Sequence, residues 1–386
     1  MHKLPKPSIK PKSPVFSSGP TSKHPGWQLN QLPTDLLGRS HRSNPGKIRL
    51  RTLIDLTREV LEIPQDYRIG ILPGSATGAI ECALWSLLGM NGVDVFASDV
   101  FGHLWADDIT NQLKLKDVNV YTALPGDLPN LSLYNPKNDC VLSWNGTTTG
   151  VCVPNAAWIP DDRLGLTIVD ATSAAFSIPL AWHKFDATAF SWQKGLGGEA
   201  AHGMIVLSPR AVTRLTSYTP PWPMPRLFRL TTNQKLIEGI FVGETINTPS
   251  LLCIEDYIDA LTWAKKIGGA HGLFKRCQQN FAILQDWVKK TPWIDFLASN
   301  PETVSPISVC LKIIDPIITN LSEEEQRRFI QKMTQDLDQE TVAFDIRGHI
   351  KAPPSLRIWA GPTIETEDLK TLLPWLEWSF MTNRVL

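Results

Sequence analysis

Two residues in this sequence stand where a parallel sheet would offer them to a ligand. The stretch "LTIVDATSAAFS" brings Asp170 to the C-terminal end of a short apolar run. Further on, "ATAFSWQKGLGGEAAHGMIVLS" ends a second apolar run at Gln193 and Lys194, just before Gly195, Gly197 and Gly198. Ligands of open α/β folds bind at the carboxyl ends of the strands, and glycines let backbone approach closely. A carboxylate and a lysine at one sheet edge suit proton transfer or cofactor binding. The same pair would equally serve as a buried ion pair.

A third stretch, "LPGSATGAIECAL", puts a Gly-Ser-Ala-Thr-Gly turn directly ahead of a helical pattern. Free amides there, with the Ser75 and Thr77 hydroxyls, could hold a phosphate. A helix N-cap without a ligand uses the same residue types. No Gly-Lys-Ser/Thr follows, so the turn is not a P-loop, and it lacks the spacing of the G-x-G-x-x-G dinucleotide fingerprint.

The elements that must position these residues follow from periodicity. "KIRLRTLIDLTREVLEI" carries Leu50, Leu53, Ile54, Val60 and Leu61 at helical spacing, and "YRIGIL" then reads as a strand. A helix over 77–90 leads to strand candidates near 93–98, 118–123, 139–144, 166–171, 187–192 and 203–207. Most are short and apolar on both faces, which predicts a largely parallel sheet covered by helices on both sides, the α/β class. After about residue 250 come two long helical stretches, then strands near 305–314 and 343–347, the helix "SEEEQRRFIQKMTQDL", a strand at "LRIWAG" and a last helix from about 364. The reading is a basic, proline-rich extended arm over 1–14, a large domain over 15–270 and a smaller C-terminal α+β domain over 271–386.

Composition limits the partners. The chain has 386 residues, with 38 Lys plus Arg against 38 Asp plus Glu, so no global field draws in nucleic acid or an anionic membrane. Anion recognition must come from local placement. The six cysteines are scattered without a C-x-x-C pair, which favours free thiols in a reducing compartment, the cytoplasm by default, over disulfides or a metal site. No apolar run approaches the roughly 20 residues that span a bilayer, and the N-terminus has no apolar segment of the secretory kind.

Taken together, the motifs resemble the phosphoserine aminotransferases, members of the class V, fold-type I enzymes that depend on pyridoxal 5'-phosphate. The resemblance runs through "SSGPTSKHPGW", "SHRS" at 40–43, "GSATGA" at 74–79, "GHLWAD" at 102–107, "WNGTTTG" at 144–150, "VDATSA" at 169–174, "SWQKGLGG" at 191–198, "INTPS" at 246–250 and "APPSLRIWAGPT" at 352–363. It implies transamination between 3-phosphohydroxypyruvate and L-glutamate, giving O-phospho-L-serine and 2-oxoglutarate in serine biosynthesis.

The resemblance also implies roles. Lys194 is similar to the lysine that holds the cofactor covalently and moves the proton between the substrate Cα and C4′. Asp170 would pair with the pyridinium nitrogen and keep it protonated. Trp105 resembles the residue stacked on the pyridine ring, although a tryptophan at that position is also a natural core residue. Thr147 resembles the donor to the 3′ oxygen, and Ala76, Thr77 and Gln193 the phosphate cup. Asn247 and Thr248 match residues that reach the phosphate from the other subunit, which implies a homodimer with shared sites. Arg357 matches the arginine that grips the α-carboxylate, where a planar fork allows bidentate geometry. His41 and Arg42 match the pair that takes the substrate phosphate or the γ-carboxylate of glutamate; a solvated loop is the competing reading of "SHRS". Where the family commonly has a His-Arg pair before the carboxylate arginine, this chain has Gly348-His349-Ile350-Lys351, so that His349 or Lys351 would supply the charge.

Other readings use the same residues. A cysteine desulfurase would need a mobile nucleophilic cysteine, yet Cys310 lies in the apolar run "ISVCLKII", and Gln193 rather than histidine precedes Lys194. A serine–glyoxylate or alanine–glyoxylate transaminase would share Lys194, Asp170 and Arg357 without a distal phosphate site. A protein with the fold but no activity is a further alternative.

Overall fold

The computed structural model describes residues 4–384. Helix α1 (Asn44–Leu61) starts at Ser43, whose side chain accepts the Gly46 N–H, and buries the apolar stripe that its spacing predicts. Strand β1 (Arg68–Pro73) runs into α2 (Ser75–Leu87), followed by β2 (Val93–Ala97), α3 (Val100–Asp107), β3 (Val118–Thr122) and β4 (Asp139–Ser143). A small hairpin, β5 (Asn145–Gly146) and β6 (Val151–Cys152), carries the "NGTTTG" stretch. Then come β7 (Thr167–Asp170), β8 (Ala187–Ser191), β9 (His202–Leu207) and α4 (Pro209–Ser217). A second hairpin, β10 (Thr231–Thr232) and β11 (Lys235–Leu236), precedes α5 (Leu251–Lys266) and α6 (Gly269–Lys290).

Among the described residues the main sheet has the order β1-β9-β8-β7-β4-β2-β3. β3, β2, β4, β7 and β8 pair in parallel, whereas β9 is antiparallel to both β8 and β1. Six strands thus share one direction, and β9 alone opposes them. Pro73, Ala97, Ser143, Asp170 and Ser191 therefore end at one edge, and β9 begins there, with His202 paired to Pro73. Strands β2, β4, β7, β8 and β9 are buried along their whole length. One core lies under α2 and α4, with Leu84, Val95, Ile168 and Ile205; the other lies under α1 and α5, with Leu53, Ile71, Phe190 and Tyr257. Helices on both faces explain why the strands read as continuous apolar runs.

The remaining elements are β12 (Ile294–Phe296), β13 (Ser308–Ile313), α7 (Pro316–Thr319), α8 (Glu323–Gln339), β14 (Leu356–Trp359) and α9 (Thr366–Asn383). The three strands form an antiparallel sheet in the order β12-β13-β14. Their core gathers Trp287, Val309, Met333, Trp359 and Trp375. The strand expected near 343–347 is absent from the described structure. Only isolated bridges, Val15 to Phe344 and Arg347 to Leu356, occur there, because Asp345 takes a left-handed φ of 57° that interrupts extended chain.

Of the arm expected over 1–14, residues 1–3 lie outside the described residues. The rest is irregular and docked. Trp375 Nε1 donates to the Ile9 carbonyl at 2.7 Å, the Lys12 N–H donates to Asp368 at 2.6 Å, and Lys6 pairs with Glu340 at 2.6 Å. Phe16 is fully buried in the C-terminal core, where its carbonyl accepts the Trp359 N–H at 3.0 Å. No helix among the described residues is long and apolar enough to cross a membrane.

Candidate active site

Lys194 follows β8 in a turn that the N-terminal chain crosses. Thr21 Oγ1 donates to the Lys194 carbonyl at 2.6 Å, and the Thr21 N–H to the Gln193 carbonyl at 2.9 Å. The glycines make this crossing possible: Gly197 has a φ of +65°, and a Cβ there would stand 2.0 Å from the Ser22 carbonyl oxygen. The lysine side chain is buried. Its Nζ donates to the Ser18 carbonyl and stands 5.8 Å from the Trp359 ring centroid. Gly19 passes so close that a Cβ would lie 2.8 Å from Nζ. Burial, and secondly the positive charge of Arg357, pull the lysine pKa from 10.5 to about 7, against the opposing pull of Asp170 and Asp99.

Asp170 ends β7, and its carboxylate is anchored on two sides. Thr172 donates its N–H at 3.0 Å and its hydroxyl at 2.5 Å to Oδ1, and Trp105 Nε1 donates to Oδ2 at 3.1 Å. Burial raises the Asp170 pKa, and the Thr172 and Trp105 hydrogen bonds restrain that rise. No ion pair joins Asp170 to Lys194 among the described residues, so the sheet edge is not a closed carboxylate–lysine pair. Instead a cavity of about 80 Å³ lies among Ala76, Thr77, Trp105, Thr147, Asp170, Gln193 and Lys194. Seven of the residues singled out in the sequence thus meet in one place.

The walls carry polar atoms without partners. Asp99 Oδ2, Ser143 Oγ, Asn145 Oδ1 and Gln193 Oε1 are buried and unbonded, and each of these residues lines the cavity. At one end α2 starts from Gly74, in a left-handed conformation, with no side-chain cap. The Ser75 N–H donates to the Ala201 carbonyl at 3.4 Å, and with no side-chain cap the Ala76 and Thr77 amides are left for an anion. A helix end with free amides, a buried carboxylate, a hydroxyl at Thr147 and a lysine whose pKa burial lowers to about 7 fit pyridoxal phosphate around one cavity.

Asp99 and Phe101 are among the lining residues that went unread in the sequence. Asp99 follows the end of β2 and caps α3, where Oδ1 accepts the Gly102 N–H at 2.9 Å. Burial raises its pKa to about 6, helped by Asp170. The strand-end argument that located Asp170 applies to Asp99 equally. Phe101 also lines the cavity. It adds an aromatic face beside Trp105, whose indole edge is committed to Asp170.

Arg357 lies in β14 opposite Cys310, whose Sγ is 3.9 Å from the Thr147 carbonyl oxygen. Among the described residues its guanidinium forms no ion pair, and its Nε is buried without a partner. Burial lowers the Arg357 pKa. Such a cation, largely removed from water, calls for an anion. Burial pushes the Cys310 thiol up to about 12, far from a nucleophilic thiolate. His349 is half-buried, with its pKa lowered by burial and then by Arg357. Lys351 is exposed, and its N–H donates to His349 Nδ1 at 3.2 Å.

Four of the expected residues stand apart from the Lys194 cavity of the same chain. His41 and Arg42 line a separate cavity with Lys47, Gly243, Glu244 and Thr245. His41 is buried with Nε2 unpartnered, and burial, then Arg42, lowers its pKa. Asn247 and Thr248 continue from that 243–245 segment. The Asn247 carbonyl accepts the Thr245 hydroxyl at 2.7 Å, and Asn247 Nδ2 donates to the Thr248 carbonyl at 3.2 Å.

The chain is 52% identical over 375 residues to a phosphoserine aminotransferase of Methanosarcina mazei, covering 97% of this chain and 99% of that protein. The chain belongs to the phosphoserine aminotransferase family. No family model matches it. Among solved structures, a pyridoxal-phosphate-bound phosphoserine aminotransferase from Trichomonas vaginalis superposes with a TM-score of 0.76 at 16% identity, covering 95% of this chain and all of that one (100%). An alanine–glyoxylate aminotransferase from Nostoc superposes nearly as well, with a TM-score of 0.74 at 18% identity over 97% of each chain. The fold is the fold-type I transferase fold, and it does not by itself separate the two reactions.

Proposed function

We infer that this phosphoserine aminotransferase family member is a pyridoxal-phosphate-dependent transaminase that converts 3-phosphohydroxypyruvate and L-glutamate into O-phospho-L-serine and 2-oxoglutarate. The observation that carries the chemistry is the buried Lys194, with its pKa near 7, in a cavity shared with Asp170 and under the influence of an unpaired Arg357. The family relationship carries the substrate.

When bound, pyridoxal phosphate supplies the electron-withdrawing ring and the carbonyl carbon that accepts an amino group. Lys194 would hold the cofactor and, once released, would serve as the base that takes the proton from the substrate Cα. A lysine near pKa 7 suits both duties, because a base works best when its pKa lies close to the working pH. Asp170, held by Thr172 and Trp105, keeps a negative charge against the ring nitrogen. Ala76 and Thr77, at the start of α2, would receive the phosphate, and Thr147 would donate to the 3′ oxygen. Arg357 binds the α-carboxylate.

The distal anion falls to His41 and Arg42, with His349 on the Arg357 side. We propose a homodimer in which 247–248 reach the partner's cofactor phosphate. The cavity that His41 and Arg42 share with 243–245 supports their joining that segment at the partner's site. The same reading divides the chain near residue 270 into a large cofactor-binding domain and a small C-terminal domain. The separate core around Val309, Trp359 and Trp375 supports that division. A cytoplasmic location agrees with six unpaired cysteines.

A half-reaction screen tests the reading. Purified holoprotein is mixed with phosphoserine, glutamate, serine or alanine while the cofactor's visible absorbance is followed. Phosphoserine and glutamate should convert the bound cofactor readily, and serine and alanine slowly. Rapid conversion by alanine or serine with none by phosphoserine would move the chain to the glyoxylate-type transaminases.

A further inference from the structure

His202 does not line the Lys194 cavity, yet it touches three parts of the machinery around it. As the first residue of β9 it pairs with Pro73, one residue before the turn that opens α2. Its ring lies against Trp192, with centroids 5.0 Å apart, and Trp192 leads directly into Gln193 and Lys194. On the other side, Nε2 accepts the Ser250 N–H at 3.1 Å. Ser250 ends the 247–250 segment and caps α5 by accepting the Cys253 N–H at 3.3 Å.

Few hydrogen bonds act on that segment, which is otherwise held by Ile246 packed on the core under α2 and α4 and by the buried Pro249. The Thr245 and Asn247 side chains bond only to nearby backbone, and Thr248 is exposed. Among the described residues, no other side chain from outside 245–250 hydrogen-bonds to this stretch of backbone. The imidazole itself is buried: it is 4% exposed, Nδ1 has no hydrogen-bond partner, and burial takes its pKa down to about 4. A neutral ring accepting at Nε2 carries its proton on Nδ1, so the tautomer is set by the Ser250 contact.

We propose that His202 is a positioning residue for the cofactor phosphate, fixing through Ser250 where Asn247 and Thr248 stand. This rests on the reading that 247–248 grip that phosphate. The role differs from that of Lys194 or Asp170, because His202 acts only through a neighbouring segment. Its loss should therefore weaken recognition of the phosphate and spare recognition of the ring.

The test titrates full-length chain, stripped of cofactor, with pyridoxal phosphate and, separately, with pyridoxal, which lacks the phosphate. Loss of one hydrogen bond corresponds to about three- to tenfold weaker binding. His202→Ala should show that loss for pyridoxal phosphate and none for pyridoxal. His202→Gln, whose amide oxygen can accept the Ser250 N–H, should recover most of it. Equal losses for both compounds would mark a general structural role and overturn the proposal. Asn247→Ala with Thr248→Ala serves as the reference. If that double variant binds pyridoxal phosphate more weakly while His202→Ala does not, the positioning role fails and the phosphate grip stands. If the double variant binds normally, the grip fails and the positioning role with it.

Discussion

Lys194 should capture the cofactor with a pH dependence set by its buried site. The neutral amine is the nucleophile, so the rate follows the deprotonated fraction. A lysine at the ordinary pKa of 10.5 is neutral in about one molecule in three thousand at pH 7, whereas one at about 7 is neutral in half. The difference of 3.5 pH units corresponds to about 5 kcal/mol against the charged form. In stopped-flow mixing of cofactor-free protein with pyridoxal phosphate, the capture rate should climb about tenfold per pH unit below 7 and level off above it. Borohydride fixes the product for counting, and Lys194→Ala should fix none. Pyridoxal run in parallel keeps ionisation of the phosphate from being mistaken for that of the lysine. Two variants test the causes. Arg357→Leu removes a like charge and should raise the midpoint, yet leave it below 10.5 because burial is the larger cause. Asp170→Asn removes a favourable negative charge and should lower the midpoint. A rate still climbing tenfold per unit through pH 9 would refute the buried-lysine argument, and a midpoint indifferent to both variants would refute the charge assignments.

Two further outcomes follow from charges in and near the site. If His41 and Arg42 hold the distal anion, Arg42→Ala should cut kcat/KM for phosphoserine by on the order of ten- to a hundredfold, the cost of one charge-assisted bond. The slow reaction with alanine should hardly change, and an unaltered phosphoserine-to-alanine ratio would return "SHRS" to a solvated loop. Asp99→Asn keeps the helix cap but removes a carboxyl whose folded pKa, about 6, lies above the ordinary aspartate value of 3.8. That carboxyl contributes stability at low pH and loses it as pH rises through 6. Denaturant unfolding of the cofactor-free variant should therefore match wild type near pH 4 and exceed it by up to about 3 kcal/mol at pH 8. A difference that does not change between the two pH values would contradict the shift.

The strand-end residues were the most legible part of this molecule. Short apolar runs reported β4, β7 and β8, and their last residues put Asp170 and Lys194 at one edge, because parallel strands deliver their ends to the same side. The direction of β9 was not readable, since an antiparallel strand covered on both faces is as apolar as a parallel one. Asp99 was overlooked although it sits by the same rule, because its capping residue type is as common at ordinary helix starts. The strand expected at 343–347 failed on one left-handed residue, Asp345, which apolar patterning does not register. The separation of His41 and Arg42 from Lys194 lay beyond sequence reading for a different reason. Motifs report which residues serve a site, and the folded chain alone reports how far each stands from it.

The docked N-terminal segment has a consequence for how the protein comes to be made. The Ile9 carbonyl is bonded to Trp375 across a sequence separation of 366 residues, and Lys12 to Asp368 across 356. Residues 9–16 thus find their seats only after those near 375 have been made. Until then Phe16 has no core to enter. The large sheet can assemble during synthesis, because most of its pairings lie between residues 68 and 207, whereas contacts of such long range form late. A nascent or C-terminally truncated chain would therefore carry every residue that lines the cavity and still lack the seat of Phe16 and the Trp359 ring that stands 5.8 Å from Lys194 Nζ.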